Sequence, residues 1–60
     1  MLKYKGYTGC VEFDGEAGLL YGEVLDTPDV ITFQGNIVDE LRQAFRESID
    51  NYLQFCAERN

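Results

Sequence analysis

The side chains of this chain that could do chemistry are nearly all carboxylates. Asp14 and Glu16 lie two residues apart in Asp14-Gly15-Glu16-Ala17-Gly18, and paired carboxylates can divide acid–base work between them. A solvated glycine turn offers no burial to drive their pKa values apart, so turn formation and solubility account for the pair better than catalysis does. Nor is the segment a calcium loop: it has the first acidic positions but lacks the spacing to a bidentate glutamate. The sequence has no histidine, which removes imidazole bases, His-metal ligands and Ser-His or Cys-His couples, and Ser48 is its only serine. Cys10 and Cys56 match no CxxC or zinc-ribbon spacing. Two small apolar thiols are expected, with a loop-closing disulfide as the alternative in an oxidising compartment. No catalytic residue, cofactor or metal is indicated.

Charge narrows the remaining classes. Eleven acidic residues against five Lys and Arg give a net charge of −6. A nucleic-acid binder needs a basic footprint, so Tyr4, Tyr7, Phe13, Tyr21 and Phe33 are better read as sheet-packing aromatics than as a base-stacking platform. The acids Glu12, Asp14, Glu16, Glu23, Asp26 and Asp29 precede position 35, where only Lys3 and Lys5 oppose them. They gather at turns and strand ends. Such a set either keeps loops solvated or steers a basic protein partner.

Sixty residues form one domain, 1–60, and chains this short are marginal alone. There is no apolar run of membrane-spanning length, and Met1-Leu2-Lys3-Tyr4-Lys5-Gly6 lacks the apolar stretch of a secretory signal, so a cytoplasmic setting is expected. Period-two patterning in the first half gives way to a period of 3.6 in the second. Tyr7, Val11 and Phe13 alternate with Thr8, Cys10 and Glu12 as a half-buried strand. Leu2 and Tyr4 fall on the opposite parity, which a bulge or bend near Gly6 would reconcile. A glycine turn leads to a second strand, Leu19 to Leu25, and Asp26-Thr27-Pro28-Asp29 breaks the pattern before a third, Val30 to Phe33. The expected fold is α+β: a three-stranded antiparallel meander followed by one long amphipathic helix.

That helix is expected from Ile37 to about Glu58, with Asn36 as N-cap and Asp39 complementing the helix dipole. Val38, Leu41, Phe45, Ile49, Tyr52 and Cys56 form its apolar stripe, widened by Ile37, Ala44 and Phe55. Asp39, Arg42, Gln43, Arg46 and Asp50 occupy the reverse, solvated face. A rod of roughly 33 Å outruns strands of about 17–23 Å. The final turns are therefore expected to overhang the sheet, offering Tyr52, Leu53 and Phe55 as an oligomer contact in a dimer or larger assembly.

Several segments taken together resemble the N-terminal domain of the HicB antitoxin family. They are Tyr7-Thr8-Gly9, Val11-Glu12-Phe13-Asp14, Gly22-Glu23-Val24 and Asp29-Val30-Ile31-Thr32-Phe33-Gln34-Gly35, then Asp39-Glu40-Leu41, Ala44-Phe45-Arg46 and Tyr52-Leu53-Gln54-Phe55-Cys56 in the helix. The resemblance covers nearly the whole chain, with the motifs in order. It implies a partial RNase-H-like sheet-and-helix domain without nuclease activity. Its partner would be HicA, a small basic toxin that cleaves messenger RNA, whose RNA-binding and catalytic surface the antitoxin masks. Family members of this subtype usually continue into a DNA-binding segment, so operator binding is not carried over to these residues; the acidic charge is what argues against direct nucleic-acid contact through this domain.

The candidate toxin-facing residues are Glu12, Asp14, Glu16, Tyr21, Glu23, Asp26 and Asp29. The competing reading is a self-associating structural domain with no toxin partner. A degenerate RNase-H-like nuclease is the third, and it would need clustered strand carboxylates where only Glu23, and Glu12 near a strand end, stand.

Overall fold

A computed structural model describes residues 1–59 as an antiparallel sheet covered on one face by a single C-terminal helix. Its elements are β1 (Leu2–Tyr4), β2 (Tyr7–Asp14), β3 (Leu19–Val24), β4 (Thr32–Gly35) and α1 (Val38–Arg59). The strands lie in the order β1-β2-β3-β4. The architecture is α+β as expected, but the sheet has four strands rather than three. The break in parity at Gly6 is a chain reversal and not a bulge: Lys5 and Gly6 both take positive φ, 51° and 84°, and Tyr4 pairs with Tyr7. Two consecutive left-handed residues are what a two-residue hairpin turn requires. The last strand begins two residues later than the β-branched run predicted, at Thr32, with the Ile31 carbonyl already accepting the Val24 N–H at 2.9 Å.

Pairing fixes which side chains meet the helix. Gly9 stands opposite Val24, Val11 opposite Gly22, and Gly22 opposite Phe33. The buried core is Val24 and Phe33 from the sheet with Leu41, Phe45 and Ile49 from the helix. Phe33 and Phe45 meet with ring centroids 5.0 Å apart, within the range in which tilted aromatic pairs attract beyond area burial. Glycines make the space. A Cβ on Gly22 would lie 2.5 Å from both the Cys10 carbonyl oxygen and the Phe33 ring, and one on Gly9 would lie 2.8 Å from the Phe45 ring.

The helix differs from its expected form in three respects. Its first bond is Leu41 N–H to the Ile37 carbonyl at 3.0 Å, which puts Ile37 at the N-cap position. The neighbouring contact runs backwards: Glu40 Oε1 accepts the Asn36 N–H at 3.0 Å, half of a capping box displaced by one residue. The seam is Leu41, Phe45, Ile49 and Leu53, while Val38 is half exposed. Leu53 packs on the core, and the Tyr52 ring meets Tyr7 edge-on at 6.4 Å, so both serve the domain itself. The overhang is thereby reduced to the residues after Leu53, with Phe55 52% exposed.

Asp50, expected on the solvated face, is also engaged. It accepts Lys5 Nζ at 2.9 Å and the Tyr4 hydroxyl at 3.1 Å, tying the first hairpin to the helix. Both thiols are free. No helix among the described residues is long and apolar enough to cross a membrane.

Candidate functional site

Because side chains alternate across a strand, every β2 and β3 residue between two helix-facing neighbours points to the uncovered face. That rule places Cys10, Glu12, Tyr21, Glu23, Thr32 and Gln34 together on the side away from α1. The register sets Glu12 opposite Tyr21 and Cys10 opposite Glu23, with Gln34 and Thr32 flanking on β4. Glu12 and Glu23 are thus diagonal neighbours, about 7–8 Å apart in a regular sheet. The Tyr21 hydroxyl donates to Glu12 Oε2 at 2.6 Å. This bond and the carboxylate's charge hold the Tyr21 phenol above its ordinary value, since ionisation would set two anions side by side.

Tyr21 forms a ridge between two shallow grooves. One, of about 250 Å³, is lined by Cys10, Glu12, Glu23 and Leu25; the other, of about 520 Å³, by Asp14, Leu19, Thr32 and Gln34. An aromatic ring with carboxylates at its flank suits a guanidinium or ammonium group, which can lie on the ring while donating to the acids. Catalysis would ask something different of the same residues, a protected and desolvated carboxylate, and both glutamates are exposed. Among the described residues no three acids or cysteines converge as a metal-ligating group.

The seven residues singled out by sequence do not form one surface. Glu12, Tyr21 and Glu23 come together on the open face. Asp14 organises the β2–β3 turn: its Oδ1 accepts the N–H groups of Glu16 and Ala17 at 3.0 and 3.1 Å, and its carbonyl accepts Gly18 N–H at 2.8 Å. Glu16 is exposed at the tip of that turn. Asp26 extends the ladder past β3, where its Oδ2 takes the Thr8 N–H at 2.9 Å in the place of a strand carbonyl. Asp29 lies elsewhere, in the β3–β4 connection, where its carbonyl accepts the Thr27 hydroxyl at 2.6 Å. Its carboxylate neighbours the Tyr52 phenol, whose pKa is pushed up to about 12, first by a hydrogen bond with Cys56, then by burial and by Asp29.

Cys10, Thr32 and Gln34 belong to the face and were missed. Alternation along β2 already set Cys10 on the Glu12 face, without its being taken as a site residue, and parity along β4 would have found Thr32 and Gln34 had the bounds of that strand been legible. Comparison with protein-family models, with curated proteins and with solved structures gives no match to this chain.

Proposed function

We propose that this domain is a HicB-like antitoxin module: it captures a small, basic, HicA-like messenger-RNA-cleaving toxin and masks the surface on which that toxin binds RNA. One observation carries the reading. The helix covers a single face of the sheet, and the other face gathers Glu12, Tyr21 and Glu23 into an acidic, aromatic patch on a molecule of net charge −6. Such a patch mimics the charge of nucleic acid while contributing nothing that cleaves it, and complementary fields raise association rates and exclude acidic competitors. The module acts by occupancy and needs no cofactor.

Self-association draws less support. Of the three helix residues it called upon, Tyr52 and Leu53 pack within the chain. Co-expression with a HicA-like toxin tests the proposal. Wild-type chain should restore growth and co-purify with the toxin. Tyr21→Ala combined with Glu23→Lys should lose rescue while keeping the fold, whereas Glu16→Lys, at the turn tip, should retain it. Equal rescue by all three proteins would exclude the open face as the toxin-binding surface.

A further inference from the structure

Strand β2 is eight residues long but β1 covers only its first part, pairing with Tyr7, Thr8 and Gly9. Hydrogen-bonding groups alternate along an antiparallel strand. On β2 the even positions serve β3, as the Leu25 N–H to Thr8 carbonyl bond and the Gly18 N–H to Asp14 carbonyl bond show. The odd positions therefore point toward β1, and Val11 and Phe13 lie past its end. Their N–H and C=O groups form an open edge, and the Phe13 side chain beside them is 68% exposed. Proline and lysine, the usual residues that blunt such an edge, are absent from Cys10 to Asp14.

We infer that this edge takes up an extended, basic segment of a protein partner as an added strand, antiparallel to β2 and collinear with β1. Charge selects the occupant. In such a pairing the residue opposite Glu12 sits in a non-hydrogen-bonded pair, where side chains approach most closely. A second copy of this chain paired across a two-fold at this point would place Glu12 against Glu12, and like charges directly opposite are unfavourable. Lys or Arg at that position is favoured, flanked by apolar residues that cover Val11 and Phe13. The inference rests on reading the domain as an acidic binding module, but it assigns a different element, the backbone edge of β2, and shares only Glu12 with the Tyr21 face.

Two peptides test it, acetyl-Thr-Thr-Val-Lys-Val-Thr-Thr-amide and the same sequence with Glu for Lys, titrated into the 60-residue chain and followed by amide NMR and hydrogen exchange. The Lys peptide should bind about fivefold to tenfold more tightly than the Glu peptide, slowing exchange at the Val11 and Phe13 amides. Glu12→Lys should reverse the order of the two peptides. Phe13→Pro, which deletes an outward N–H and no internal bond, should abolish binding of both, whereas Glu23→Lys, on β3 and away from the open edge, should keep the preference for the Lys peptide while impairing capture of the toxin. No binding at millimolar peptide, protection confined to β4, an order indifferent to the charge at position 12, or Val11 and Phe13 protected by self-association alone would each overturn the inference. If toxin capture fails while peptide binding follows this pattern, only the HicB-like reading is lost.

Discussion

Asp50 is the side chain that ties the first hairpin to the helix. Its bonds to Lys5 and Tyr4 hold its carboxyl below the ordinary 3.8 and hold the Lys5 ammonium above 10.5, chiefly through the hydrogen bond the two share. The carboxylate's contribution to stability is therefore present above pH 3.8 and disappears as pH falls through its lowered value; the lysine's is present below 10.5 and disappears above its raised one. Asp50→Asn should lower the urea midpoint at pH 7, and the difference from wild type should shrink as pH falls below 3.8, read from denaturation curves of both proteins over that range. At the other limit, the Tyr52 phenol rises from 10.0 to about 12 beside Cys56, so its contribution is complete below pH 10 and is lost between those values. Tyr52→Phe should flatten the stability curve in that window, read by circular dichroism. Neither residue's role was legible in the sequence. A helical wheel sees Asp50 among polar neighbours and cannot see a hairpin tip 45 residues earlier reaching back to it. The acids were legible as a set, but the sequence did not show that Asp14 and Asp26 also hold a turn and a ladder end through local hydrogen bonds.

At the scale of elements, alternation and the 3.6 period were enough to read β2, β3, the helix and their common apolar face. They failed where an element is too short to show a period. Strand β1 has three residues, and the Lys5-Gly6 turn lacks the Asn-Gly signature, so two strands read as one bent strand. The helix seam was read correctly at Leu41, Phe45 and Ile49 but not at its ends, because Val38 and Tyr52 fit the spacing as well as Leu53 does and only the position of the sheet chooses between them. Glycine at 22 is also an element-scale choice, since it lets β3 pass beneath Phe33. Gly22→Ala should cost about 1–3 kcal/mol by overpacking, against a total of roughly 3–9 kcal/mol for a domain of this size. The check is a urea midpoint shifted down with an unchanged slope; a midpoint within error of wild type would mean that the sheet yields there more easily than its contacts imply.

For the molecule as a whole, a core of five buried residues under one helix leaves the opposite sheet face to solvent. That asymmetry, joined to a net charge of −6, underlies the proposed function. Attraction of this kind acts at long range and weakens with salt. The most direct test is stopped-flow association of the chain with a purified HicA-like toxin at low and high ionic strength, using wild type and Glu12→Lys combined with Glu23→Lys. The proposal predicts association slowed about tenfold or more by the reversal at low salt, with the two proteins converging at high salt. Rates that are equal at low salt, or no complex with wild type at any salt, would contradict it.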